Sequence, residues 1–204
     1  MLASKYRSSE VVQLGAIAGA STCLIYAAIV ADAISGFTAA VLAAAIGPLL
    51  GGASWGLREF MNTDYRRLSS DLGAGANALA GALLSASLLV QLAVKHETGD
   101  DPAAELKAVW LGLDVAWDVY IGLGTILFGI SALAHPKLGR IFGLTGIAIG
   151  AGLLVLNLAS FPTPPADAES IDIGPLVGFW YLAVTLVMFR SLSWVRGNEE
   201  RQPS

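Results

Sequence analysis

Asp114 and Asp118 stand four residues apart inside one long apolar run, residues 107–134 (KAVWLGLDVAWDVYIGLGTILFGISALA), so they share one face of any helix built there. An ionised carboxylate in hydrocarbon costs about 2.5 to 3.5 kcal/mol on insertion scales, so such residues face a bundle interior or a wet cavity. Three chemistries suit the pair: a proton- or cation-coupled transport site, the acid and base of an embedded enzyme, and an anchor for a cationic or hydroxylated ligand. A structural role, with hydrogen bonds across helices that fix packing, is the fourth. Counting from Lys107 at about 1.5 Å per residue, Asp114 lies roughly 10 Å and Asp118 roughly 16 Å along the helix, the latter near mid-membrane. No lysine or arginine shares that depth, so the pair is expected to hold one shared proton or to bind a cation.

Other residues converge on the same level. Asn157 lies about one turn before the outer end of its span, while Tyr26 and Gln91 lie near the outer ends of theirs. The expected site is an outward-opening cavity in which Asp114, Asp118, Trp117, Asn157 and Trp180 touch a small-molecule or lipid-like ligand.

Several chemistries lack their residues. His96 and His135 are expected in loops on opposite sides, which removes paired haem ligation and a histidine-rich zinc centre, so no metal is expected. No lysine lies deep in a span to carry a retinal-type Schiff base. The DxxxD of Asp114 and Asp118 lacks the further acidic motif of membrane alcohol-phosphotransferases and the Gly-x-Gly-Asp element of intramembrane aspartyl proteases. Gly73-x-Gly75 and Gly122-x-Gly124 do not continue as a phosphate-binding loop. Ser21, Ser85 and Ser87 have no histidine at their depth. No cofactor is implied.

These residues must be positioned by membrane helices. The chain has 204 residues, 55% hydrophobic and only 14% charged, and its charges cluster between apolar runs of spanning length. The fold class is therefore all-α: a polytopic membrane protein, one domain over 1–204, with six transmembrane helices in one bundle. The spans are expected at about 11–31, 34–57, 72–94, 107–134, 138–160 and 174–196. The net charge of −4 says little about partners, since charges sort by side of the membrane, and no basic stripe supports nucleic-acid binding. The lone Cys23 can form no intrachain disulfide.

Basic residues set the orientation. Lys5, Arg7, Arg58, Arg66, Arg67, Lys137, Arg140, Arg190, Arg196 and Arg201 fall on one side, and only Lys95 and Lys107 on the other. Ten against two places both termini in the cytoplasm and the chain, multi-pass, in the plasma (inner) membrane. Ala31-Asp32-Ala33 also fits a signal-peptide cleavage site, but the preceding apolar stretch is longer than a signal core, so the first span is expected to be retained.

Small residues recur at helical spacing: Gly15 with Gly19, Gly47 with Gly51, Gly139 with Gly143, Gly146 with Gly150, Gly174 with Gly178, and the stripe Gly73, Asn77, Gly81, Ser85. Such seams let helices approach closely in lipid, within the chain or toward a homo-oligomer or larger membrane complex. Asp100-Asp101-Pro102 is expected to cap the fourth helix with Pro102 at its first position. Pro136 should break the chain between spans four and five, and Pro48 should kink span two.

The stretch from Asn157 through Phe161-Pro162-Thr163-Pro164-Pro165 to Asp172-Ile173-Gly174-Pro175 and Trp180-Tyr181 resembles a pattern in small six-span bacterial membrane proteins of unknown function. The resemblance implies only a multi-span fold. Physically, the prolines stiffen an outer loop that serves as a lid or a short connector, and Asp172 can cap span six. The function expected first is a small transporter or ligand-binding protein among membrane lipids. The alternatives are a non-catalytic subunit or scaffold, and an embedded enzyme on a lipid-like substrate.

Overall fold

The computed structural model describes residues 7–62, 67–99 and 102–201, with the Arg67 side chain left out. Seven helices make up the fold, and no strand occurs among the described residues: α1 Ser8–Val30, α2 Gly36–Phe60, α3 Arg67–Thr98, α4 Ala104–Ala132, α5 Gly139–Ser160, α6 Gly174–Arg190 and α7 Leu192–Glu199. Five are long and apolar enough to cross a membrane, and a sixth crossing counts if the bent pair α6 and α7 is one span.

Each of the first five helices packs on the next, and α6 closes the ring, chiefly on α1 and more lightly on α5. Short connections force antiparallel neighbours, so charged termini gather by kind. At the basic end Arg58 Nε donates to Asp71 at 2.5 Å, and Lys137 lies 5.5 Å from the Trp194 ring. The other end carries Asp32, Asp114, Asp167 and Asp172; Lys95 reaches Asp32 there at 3.7 Å.

Glycine sets the spacing of the ring. The α1–α2 seam brings Gly15 against Gly56, α2–α3 brings Gly47 against Gly81, and α4–α5 brings Gly122 against Gly150. With no side chain between them, backbones meet and carbonyls approach Cα–H groups, the dispersion contact that replaces hydrophobic driving force in lipid. Gly15, Gly19, Gly47, Gly143, Gly146 and Gly150 thus meet neighbouring helices, whereas Gly139 meets nothing within 4 Å. Gly51 and Gly178 meet nothing within 4 Å.

Pro48 does not interrupt α2, which runs unbroken through it. Near the proline, Ser85 of α3 inserts its hydroxyl into the α2 ladder, accepting from the Gly47 amide at 2.7 Å and donating to the Ala43 carbonyl at 2.8 Å. Those two groups ordinarily bond each other, so a neighbouring helix supplies the local repair that an intramembrane proline needs.

Three expectations need correction. The sixth segment is not one helix over 174–196: it ends at Arg190 and turns by 54° into α7. Beyond Ser191 the run is amphipathic, with Leu192, Trp194 and Val195 laid on the core while Glu199 accepts from the Ser9 amide and hydroxyl at 2.6 and 2.9 Å. α7 packs there against α1 and α6. Pro102 is not the first helical residue of α4, because Ala103 is the N-cap and makes no side-chain bond; Asp100 and Asp101 lie outside the described residues. His96 belongs to the last turn of α3 and not to a loop. Pro136 does fall in the break between α4 and α5, and Gly139 at φ +68° opens α5 in a conformation that side chains resist.

Candidate functional site

α4 positions the acid pair. It lies between α3 and α5, and its neighbours supply different partners to successive turns. Asp114 faces α3, where Ser87 and Gln91 repeat its i, i+4 geometry. Ser87 Oγ donates to Asp114 Oδ1 at 2.6 Å, Gln91 Nε2 donates to Oδ2 at 3.2 Å, and Gln91 lies 3.1 Å from Ser87 Oγ. Ser87 is fully buried, so its hydroxyl has one orientation to offer.

Asp114 also lines a cleft of about 340 Å³ at the acidic end. Gln91, Val94 and Lys95 of α3 form one wall, and Trp110 of α4 another. Asp167, from the loop between α5 and α6, also lines it and lies close enough for its charge to reach Asp114. Pro164 and Pro165 in that loop are buried, and helical-type bonds from Ala168 to Pro164 and from Ser170 to Pro165 curl the chain beyond them. The loop therefore covers part of the site.

Asp118 lies one turn deeper and does not line the cleft. The Asn157 amide of α5 lies against its carboxyl, and Tyr26 of α1 and Asp172 lie close enough to feel its charge. Asn157 is completely buried; its Nδ2 donates to Leu153 O at 3.1 Å, and its Oδ1 has no partner among the described residues. Trp117 meets Tyr26 at a tilt of 45°, ring centroids 6.3 Å apart, and packs against the cluster of Ala43, Ile46, Leu84 and Leu88. It does not line the cleft. Asp172 accepts from the Gly174 amide at 2.7 Å and so caps α6 from one position before its N-cap, Ile173.

Trp180 does not belong with these residues. Its indole donates to Phe142 O at 3.1 Å, near the start of α5, and its ring lies on Gly146. Both contacts lie well down α5 from Asn157, because the Trp180 ring fills the gap that Gly146 leaves. Its neighbour Tyr181 instead joins a second buried polar group. Asn77 Nδ2 donates to Tyr181 Oη at 2.8 Å, and Thr125 Oγ1 lies 3.1 Å from the same oxygen, tying α3, α4 and α6 together.

Gln91, expected at this level, does reach Asp114, whereas Ser87, Trp110 and Asp167 are site residues that the expected cavity did not include. Lys95 is another, and it qualifies the expectation that no cation is near: it lies at the cleft wall, above the level of the pair, with its ammonium turned to Asp32. Gln91 sits four residues after Ser87 on the α3 face that meets α4, and that spacing was the available signal. No group of three or more histidine, cysteine or acidic side chains fit to hold a metal occurs among the described residues.

Among the described residues of the basic end, His135 is a buried titratable group. His135, 2% exposed, makes a 3.0 Å bond between Nε2 and Phe60 O while its Nδ1 accepts from the Lys137 amide at 3.3 Å. Nδ1 as acceptor assigns the proton to Nε2. Burial drives its pKa down to about 4; the Phe60 carbonyl opposes the shift and the Lys137 charge adds to it. The ring stacks on Phe60 at 4.6 Å and meets Trp194 edge-on at 5.6 Å, joining the α4–α5 turn to α2 and α7.

No protein-family model, no curated protein and no solved structure matches this chain.

Proposed function

We propose that this protein is a multi-pass plasma-membrane protein that takes a small cationic ligand in the cleft at its acidic end, for binding or transport, with Asp114 as the anchoring charge. The observation that carries the proposal is the placement of Asp114: inside a helix apolar enough to span a membrane, yet lining an open cleft and held by two neutral donors. An intramembrane carboxylate that only fixed packing would be sealed by its partners. Asp167 in the same lining adds a second negative charge, and Trp110 offers an aromatic face, which attracts a cation by about 0.5 to 2 kcal/mol. The basic end faces the cytoplasm in this proposal, so the cleft opens outward.

Calorimetric titration of the purified protein with tetramethylammonium and with sodium tests the ligand class. Saturable binding of one of them that is lost in Asp114→Asn supports the proposal. Absence of binding by both, or binding unchanged in Asp114→Asn, sinks it. Native mass spectrometry of the protein and of the Asp114→Asn/Asp118→Asn double variant then shows whether a natural ligand co-purifies.

A further inference from the structure

A groove of about 330 Å³ lies between α2 and α3, and its lining runs from Gly51 and Ala78 to the ion pair of Arg58 and Asp71 at the basic end. Arg58 follows Gly51, and Ala78 follows Asp71, by seven residues, so each helix gives the groove about two turns, roughly 10 Å. A Cβ on Gly51 or on Gly75 would meet nothing within 4 Å, so no other described part of the chain fills the recess. Trp55, 58% exposed, walls it, and Leu72 and Leu79 are exposed beside it on α3. Both helices are long and apolar enough to span a membrane, so this face meets either lipid or another chain.

The charges at one end choose between them. Arg58 Nε donates to Asp71 Oδ1 at 2.5 Å, whereas Glu59 Oε2 lies 3.9 Å from Arg58 Nη1, beyond hydrogen-bonding reach. A guanidinium has a planar fork of donors, and those on its Nη groups match a phosphate. Asp71, its side chain 38% exposed, is an acceptor suited to an ammonium at the same level. Two carboxylates beside one guanidinium oppose a headgroup that carries negative charge alone. A choline group has no N–H to give Asp71, and the Trp55 face that would attract it already carries Arg58, whose Cζ lies 5.0 Å from the ring centroid. A second copy laying an apolar helix in the groove would seal the ion pair from water, a desolvation that the pair's attraction rarely repays.

We propose that the groove holds one phospholipid whose headgroup joins a phosphate to a primary ammonium. An acyl chain lies over Gly51 and Gly75 against Trp55, the phosphate accepts from the Arg58 Nη groups, and the ammonium donates to Asp71. Trp55 then sits one turn below the headgroup, in the interfacial belt where tryptophan is enriched. This site is separate from the cleft at the acidic end and does not depend on the cation proposed there.

Native mass spectrometry of the delipidated full chain, given phosphatidylethanolamine, phosphatidylglycerol or phosphatidylcholine with the same acyl chains, tests the proposal. One phosphatidylethanolamine retained per chain in preference to the other two is expected, and Gly75→Leu, whose side chain enters the open groove, should abolish it. Ala78→Leu, at an exposed position on the same wall, repeats the test should Gly75→Leu fail to fold. Asp71→Asn should reverse the order and favour phosphatidylglycerol, because Arg58 loses a negative neighbour; a purely structural role for Asp71 would weaken all three lipids alike. Equal retention of the three lipids overturns the proposal, as does retention unchanged by leucine in the groove. A dimer by light scattering that the leucine variants dissociate also overturns it, by giving the groove to a second copy.

Discussion

Asn77 Oδ1 occupies the space that a side chain on Gly124 would need: a Cβ there would overlap the amide oxygen and lie 2.8 Å from Asn77 Cγ. Asn77 cannot step aside cheaply, since it is fully buried and bonded to Tyr181. Gly124→Ala should therefore lose about 1 to 3 kcal/mol, the usual cost of overpacking a tight core. Thermal unfolding in detergent reads this directly. The double variant Gly124→Ala/Asn77→Ala removes the obstructing amide, so its loss should be smaller than the sum of the singles by about 0.5 to 3 kcal/mol. Simple additivity would show that the two residues do not meet.

The α1–α2 seam makes a contrasting pair of predictions. A Cβ on Gly56 would lie 2.5 Å from Gly15 Cα and 2.9 Å from Val11 O, both backbone atoms that can yield only if the helices part. Gly56→Ala should lower the unfolding temperature clearly. Gly75, in the groove between α2 and α3, meets nothing within 4 Å, and alanine there should be neutral or gain up to about 1 kcal/mol of helix propensity. Destabilisation by Gly75→Ala, or a change in its oligomeric state by light scattering, would mean that another chain fills that groove.

Helix placement was legible because apolar runs of spanning length have few other uses, and α1 to α5 fall where hydropathy puts them. The break at Ser191 was not, because residues 174–196 keep enough apolar side chains to read as one continuous helix and no proline or glycine stands at 189–192 to mark the turn. Asp114 stood out as a charge in hydrocarbon, and its closeness to Gln91 followed from opposite chain directions. Trp180 was misplaced because depth along a helix says nothing of which face it turns, and Gly146 opened a slot for it on the other side of Tyr181. His135 was missed as a buried group since a histidine between an apolar helix and HPKLGR reads as a solvated turn.

Lys95 is the cation nearest the proposed ligand. Its pair with Asp32 joins two mostly exposed side chains, 59% and 83%, so breaking it should change stability hardly at all. Its charge nevertheless opposes a second cation in the cleft. Lys95→Ala should therefore tighten tetramethylammonium binding a few-fold at low salt, and the gain should shrink as salt screens the site. Weaker binding in the variant would indicate that Lys95 helps to hold the ligand, as it would for an anionic or zwitterionic one.

His135 makes stability depend on pH in a definite direction. Its ordinary pKa of about 6.5 applies to the unfolded chain, and burial lowers it to about 4 in the folded one. Above pH 6.5 both states are neutral at this residue and nothing changes. Between about 6.5 and 4 the unfolded chain binds a proton that the folded chain refuses, so stability falls as the pH is lowered, by about 3 kcal/mol across the whole window. Below about 4 the loss levels off, because both states are then protonated. His135→Gln removes the titration while its amide N–H can still reach the Phe60 carbonyl. The difference in unfolding free energy between wild type and this variant, followed from pH 7 to pH 4, cancels the carboxylates common to both. That difference should decline steadily in wild type's disfavour through the window; a flat difference would show that the histidine is not held neutral between Phe60 and Lys137.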